Sequence, residues 1–272
     1  MDREELPREI LVHILRRLGF EDRYAAATLV CKAWRDAATD PACWDVANVE
    51  ECFERRLEVA LWSTDEFEER IDAMVKNVVD WSRGGLRELH ARHCSNAALV
   101  YVASKCPRLQ SLSMRDSPNL TDVAGAAIAA ACPELRELDL SNTKCISLEC
   151  FKPCKSLVSL KMNSPDRRRL VPLGYRALQG AAFANAMPGL EVLEFRNGAL
   201  SDADLQSILD GCSKIRHLDL RGCQGLSNAA VEAASSIVPC FLKPLPRLDE
   251  PELPRYGHWQ LYSERFQPEF QF

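Results

Sequence analysis

Cys132-Pro133-Glu134-Leu135-Arg136-Glu137-Leu138-Asp139-Leu140 is the stretch on which the fold turns. The proline cannot continue a helix, so it closes whatever helix precedes it. After it, Leu138 and Leu140 flank a charged residue, the period of a short strand with one buried face. The same unit, Leu-x-x-Leu-x-apolar, begins at Leu86, Leu109, Leu135, Leu157, Leu190 and Ile215. Cys106-Pro107, Met187-Pro188 and Cys212-Ser213 stand in front of three of the others. Between strands, Asn96, Thr121, Ser201 and Ser227 are expected helix caps, and Val123, Ala127, Ile128 and Ala131 form one of the helical stripes. A unit of strand plus helix recurring at this period stacks into a solenoid, because no single unit can bury its own apolar face. The expected class is therefore α/β, with parallel strands inside and helices outside over residues 86–238.

The strand period also says which side chains face the concave surface. They fall in three columns: Glu88, Ser111, Glu137, Ser159, Val192 and His217; then His90, Ser113, Asp139, Lys161, Glu194 and Asp219; then Arg92, Arg115, Ser141, Asn163, Arg196 and Arg221. Glu194 with Arg196, and Asp219 with Arg221, are expected to neutralise each other along a strand. Arg92 and Arg115 have no acid at the adjoining inner position, so they are either two solvated arginines or a spot for an acidic or phosphorylated ligand segment. The candidate recognition residues are His90, Arg92, Ser113, Arg115 and Lys161. Arg167, Arg168 and Arg169 join them, because 33 residues separate Leu157 from Leu190 and insertions in solenoids often carry binding.

Ahead of the repeats lies a short helical segment. Pro7 suits the first position of a helix, Arg16 and Arg17 its last turn, and Gly19 a left-handed cap. Ile10, Leu11, Ile14, Leu15 and Leu18 make a stripe broad enough to face two neighbours. A second helix is expected from about Asp22 through Arg35. Three short helices bury too little surface to be stable alone, so the module needs a partner.

The residues Leu6-Pro7, Glu9-Ile10-Leu11, Val30-Cys31-Lys32, Trp34-Arg35 and Trp44 resemble the F-box pattern over residues 1–46. The repeats, with Leu120-Thr121-Asp122, Leu200-Ser201-Asp202 and Leu226-Ser227-Asn228 beside their cysteine exits, resemble the cysteine-containing leucine-rich repeat. Together with Trp81-Ser82-Arg83-Gly84-Gly85 and Gly257-His258-Trp259, the chain is similar to plant F-box/leucine-rich-repeat proteins of the Skp-interacting-partner type. That resemblance implies a three-helix F-box followed by a leucine-rich-repeat solenoid. It implies docking on the Skp adaptor, and through it cullin, by Leu6, Pro7, Ile10, Ile14, Leu18, Val30 and Trp34. It implies a non-catalytic receptor that presents an unknown protein substrate for ubiquitination and degradation. The alternative is a scaffold outside any ligase, whose F-box-like helices only cap the solenoid.

Residues 47–85 carry Phe67, Ile71, Met74, Val75, Val78 and Val79 at helical spacing, and are expected to form a helical connector and degenerate first repeat. No flexible tract precedes Gly84-Gly85, so the join is expected to be rigid. Residues 239–272, rich in proline and aromatics, are expected to cap the last repeat or to bind a partner. The net charge of −5 lacks the basic excess of a nucleic-acid binder. No apolar run approaches a membrane span and the first residues are too charged for a signal peptide, which points to cytoplasm or nucleus. Twelve cysteines include no Cys-x-x-Cys pair, and Cys145, Cys150 and Cys154 are too widely spaced for a zinc knuckle. No metal and no cofactor are expected. Five histidines form no cysteine–histidine motif, which argues against an enzyme.

Overall fold

The computed structural model describes residues 6–54, 64–143, 147–164 and 178–244. Its N-terminal helices are α1 (Arg8–Leu15) and α2 (Lys32–Ala38). Pro7 lies just before α1 as its cap rather than in the first turn, and Gly19 does not take a left-handed cap. The helix ends instead at Arg16 in ordinary right-handed geometry. Gly19 serves close approach: a Cβ there would lie 3.0 Å from the Glu51 carboxylate, which accepts the Phe20 amide at 2.6 Å.

The second helix expected through Arg35 is broken. A wide helical turn at Asp22–Ala26 passes into a tight one at Ala27–Leu29, and Cys31 is fully extended before α2 begins. Thr28 holds the break: its hydroxyl donates to the Ala25 carbonyl at 2.7 Å and its carbonyl accepts from Arg35 Nε at 3.0 Å. The break sets Leu29 outward while Trp34 packs against the core.

Beyond Trp44 the chain enters β1 (Val46–Asn48), a short helix α3 (Glu51–Glu54) and the long α4 (Asp65–Ser82). Thr64 caps α4 by accepting the Phe67 amide, and three acids occupy the first turn, where the helix dipole favours them. Ile71, Val75, Val78 and Val79 form its buried stripe, as their spacing predicts. The remaining strands are β2 (Glu88–Arg92), β3 (Ser111–Arg115), β4 (Glu137–Asp139), β5 (Ser159–Lys161), β6 (Val192–Glu194), β7 (His217–Asp219) and β8 (Cys240–Leu242). Among the described residues, β1 to β8 form one parallel sheet in sequence order. Helices α5 (Asn96–Lys105), α6 (Asp122–Ala131), α7 (Gly180–Ala186), α8 (Asp202–Gly211) and α9 (Asn228–Ile237) alternate with the strands.

Two strands lie outside the predicted six. β1 pairs with β2 and β8 with β7, one at each end of the sheet. β1 followed by α4 repeats the strand-then-helix order of the later units. β8 comes from the segment predicted as a cap, and it covers the open edge of β7. Residues 245–272 lie outside the described residues.

The repeat motifs have physical uses. The cysteines at helix exits donate to the carbonyl of the residue closing the previous repeat's helix: Cys132 Sγ to Cys106 O at 3.5 Å, Cys212 Sγ to Met187 O at 3.4 Å. Each carbonyl also accepts a backbone amide, from Leu109 and Leu190, so the thiol adds a second bond that ties one repeat to the next. Ser95, not Asn96, caps α5, since its hydroxyl accepts the Ala97 and Ala98 amides. Asn96 instead reaches forward to accept the Thr121 amide, as Asp122 does for Ser147 and Asp202 for Ser227. The turns that follow β2, β3, β4, β6 and β7 use positive φ, at His93, Asp116, Asn142, Asn197 and Gly222. No helix among the described residues is long and apolar enough to cross a membrane.

An aromatic cluster joins the N-terminal helices to the solenoid. Trp44 is fully buried and its indole N–H donates to Ala38 O at 2.7 Å. Phe20 meets Trp44 edge-on at 5.8 Å and stacks on Tyr24 at 5.3 Å. Trp81, from α4, lies 5.2 Å from Tyr24 and 5.3 Å from Trp44. The Arg23 guanidinium sits 4.4 Å above the Trp44 ring. Asn77 of α4 also donates to the Tyr24 hydroxyl at 2.8 Å.

Candidate functional site

The first candidate surface is the outer face of the N-terminal helices. The stripe on α1 splits in two: Leu11 and Leu15 are buried, whereas Ile10 and Ile14 are exposed at 49% and 36%. On the broken segment, Val30 is exposed at 43% and Leu29 at 79%. Pro7 is also exposed, and Leu6, Leu18 and Trp34 are half-buried against the core. The predicted adaptor residues thus divide into outward-facing side chains and packing ones. Leu29 belongs with the outward set, and the sequence reading left it out of that set. Its signal was present in Leu29-Val30-Cys31-Lys32, but a continuous helix hides which of the two apolar neighbours turns out.

The second surface is the concave face of the sheet. The register reproduces the first two columns, Glu88, Ser111, Glu137, Ser159, Val192 and His217, then His90, Ser113, Asp139, Lys161, Glu194 and Asp219, and of the third pairs only Arg92 with Arg115. The strand pairs expected at the C-terminal end form, with Glu194–Arg196 at 3.1 Å and Asp219–Arg221 at 2.8 Å. A cross-strand pair links them, Arg196 to Asp219 at 2.6 Å.

Arg92 and Arg115 are not the unpaired cations that the columns predicted. Glu50, two residues past β1, forms a close hydrogen-bonded pair with Arg115, accepts the Ser113 hydroxyl at 3.1 Å and lies 3.7 Å from Arg92. Asp116 adds a contact to Arg92 at 3.6 Å. The hydrogen bond to Glu50 raises the Arg115 pKa further. The reason for the error is β1: once that strand extends the sheet, the column Arg92, Arg115 acquires an acid beside it. Lys161 is paired likewise, with Glu194 at 3.1 Å. His90 lies 3.9 Å from Glu88. Arg167, Arg168 and Arg169 lie outside the described residues.

A pocket of about 250 Å³ opens on this face over β3, β4 and β5. His90, Ser113, Arg115 and Lys161, all predicted as recognition residues, line it with Glu50, Glu137 and Asp139. Burial raises the Asp139 pKa despite its hydrogen bonds from Ser141 and the nearby Arg115.

Asp219 behaves in the opposite way. Burial pushes its pKa up, but hydrogen bonds from Arg221 and the charges of Arg196 and Arg221 outweigh this and hold it below the usual carboxylate range. A carboxylate with a depressed folded pKa adds stability above its unfolded pKa of about 4, which is lost as pH falls through the folded pKa. Asp219→Asn is therefore expected to cost about 1–2 kcal/mol at pH 7, discounted because both arginines are partly solvated. The difference from wild type should shrink towards pH 3 in urea unfolding.

Burial also disposes of most thiols as nucleophiles: it pushes Cys106 and Cys212 up to about 11 and Cys132 up to about 12. One cysteine–histidine contact escaped the sequence reading. The β7–β8 register sets His217 opposite Cys240, with Nδ1 and Sγ 3.1 Å apart. Strands that pair across 23 residues give no local motif. No cluster of potential metal ligands occurs among the described residues.

Comparison with known proteins agrees with this architecture. Residues 4–46 match the F-box-like family model. F-box protein SKIP1 of Arabidopsis thaliana is 38% identical, covering 95% of this chain and 93% of its own length. Putative F-box/LRR-repeat protein 19 of the same plant is 35% identical over 86% of this chain and 84% of its own. F-box protein SKIP19, again of Arabidopsis thaliana, is 30% identical over 80% and 68%. A chain of the yeast Rad7 and Elc1 complex overlaps 58% of this chain and 41% of its own at 18% identity, with a TM-score of 0.47. The family match at residues 4–46, the parallel sheet of repeats behind it, and relatives 38% and 35% identical over 93% and 84% of their own length place the chain in the F-box/leucine-rich-repeat family.

Proposed function

We propose that this chain is the substrate-recognition subunit of a Skp-cullin-F-box ubiquitin ligase. It docks on the Skp adaptor, and through it on cullin, by the outer face of its F-box, and it presents a protein target held on the repeats. The observation that carries this reading is the exposure of Ile10, Ile14, Leu29 and Val30 on one small helical module. An apolar group left in water on a monomer is a docking feature when several occur together. The names of the relatives, F-box protein SKIP1 and F-box protein SKIP19, agree with an adaptor partner.

The role is non-catalytic in this reading: the chain fixes the position of its target, and the bond-forming groups belong to other subunits. The contact between Trp44, Tyr24 and Trp81 supports a fixed geometry between the docking module and the repeats.

The same contact favours a second reading, in which the F-box helices merely cap the solenoid. Capping accounts for the buried half of α1 and leaves the outward half without a use. Quantitative proteomics after inducible removal of the chain, with and without proteasome inhibition, tests the proposal. Proteins that accumulate on removal, and equally when the proteasome is blocked, are the expected result. A proteome unchanged by removal would contradict it.

A further inference from the structure

We propose that the concave pocket over β3, β4 and β5 receives a lysine or arginine side chain of the target protein, so that the receptor reads a basic segment. This rests on the substrate-receptor reading above and names the chemistry of its site. The argument is charge complementarity in a pocket of limited size.

At about 250 Å³ the pocket falls below the range of cavities that hold cofactors or drug-sized ligands, and suits a single side chain. Its cations are already engaged. Arg115 shares two hydrogen bonds with Glu50, and Lys161 pairs with Glu194. An incoming phosphate or carboxylate would meet cations whose charge Glu50 and Glu194 already offset. Its carboxylates are less fully used. Asp139 accepts the Ser141 amide at 2.9 Å and the Ser141 hydroxyl, has Arg115 at 3.9 Å and feels the charge of Lys161 on the next strand, but forms no close ion pair, while Glu137 accepts a serine hydroxyl, from Ser111 at 3.2 Å. Three carboxylates against two cations line the pocket, and the two with open lone pairs stand side by side in the register of β4. Asp139 is largely desolvated, so a cation reaching it makes its contact where water screens least. Serines at 111, 113 and 159 leave room beside these carboxylates for a long side chain.

The test is selection from a displayed random-peptide library against the full chain bound to its adaptor. Peptides enriched in lysine or arginine are expected, with affinity falling at least about tenfold in Asp139→Asn and on replacing the basic residue of the peptide. Asp139→Asn keeps the side-chain acceptor for the Ser141 amide, and Glu137→Gln, at an exposed position, gives a second variant that the fold tolerates. Glu232→Gln, exposed on α9, should change nothing. Selection of acidic or apolar peptides whose binding is blocked by Ser159→Phe would overturn the basic-segment proposal and leave the receptor reading standing. Selection of no peptide, or of peptides indifferent to every concave-face substitution, would overturn both.

Discussion

Changing Ile10 and Leu29 together to aspartate is expected to weaken binding to the Skp adaptor at least a hundredfold and to leave the chain folded. Both side chains are solvent-facing, on two different segments of the module. Burying an aliphatic side chain of this size is worth roughly 1.5–3 kcal/mol, so losing two removes about 3 kcal/mol or more. At about 1.4 kcal/mol per decade, that alone exceeds a hundredfold. Two carboxylates forced into an apolar interface add to the loss. Stability should change little, because exposed substitutions away from special geometry stay within about 0.5 kcal/mol, with a helix-propensity penalty of the same order at position 10. Titration calorimetry with the purified adaptor reads the first quantity and thermal melting the second. Leu11→Ala gives the opposite pattern, since Leu11 is buried: a loss of about 2–5 kcal/mol in stability, with binding falling only as the module loosens.

Trp44→Ala should be the most destabilising single change in the N-terminal half. It removes the ring on which Phe20, Tyr24, Trp81 and the Arg23 guanidinium all converge. It also strands the Ala38 carbonyl, which accepts the indole N–H in a buried position. Large-to-small changes of buried aromatics cost about 3–5 kcal/mol, and the unpaired carbonyl places this case towards the upper end. Denaturant unfolding measures it, and a loss below about 1 kcal/mol would contradict the view that this cluster fastens the F-box to the repeats. Adaptor binding should fall with it, since the outward residues need the inward ones to hold them.

These expectations draw on both sequence and structure, in different proportions at the two surfaces. Strand positions were legible because Leu138 and Leu140, and their equivalents, repeat with fixed spacing and fixed exits. Helix α4 was legible from its stripe alone. β1 and β8 were not, since Val46-Ala47-Asn48 and Cys240-Phe241-Leu242 lack the leading leucine of the repeat and are strands only because β2 and β7 offer them an edge. That single omission misread the concave face. Without β1, Glu50 has no place beside Arg115, and two arginines look free when they are not. The break at Cys31 was hidden for another reason: alanine-rich Asp22–Ala27 favours helix, and the bonds that end it run from Thr28 to Ala25 and Arg35, a tertiary choice that propensity does not encode.

The pairing of Arg92 and Arg115 redirects the search for a target. The charges of Arg92 and Arg115 are offset by Glu50 and Asp116. Here Glu50 holds one end of the face and Asp219 the other, and the pocket between them presents Asp139 and Glu137.

The most direct test of the central claim is size-exclusion chromatography of the purified full chain mixed with the Skp adaptor, alongside the Ile10→Asp/Leu29→Asp variant. A stoichiometric complex with the wild-type chain, and two separate peaks with the folded variant, is the predicted result. Separate elution of wild-type chain and adaptor, or a complex that the double variant forms equally well, would contradict it.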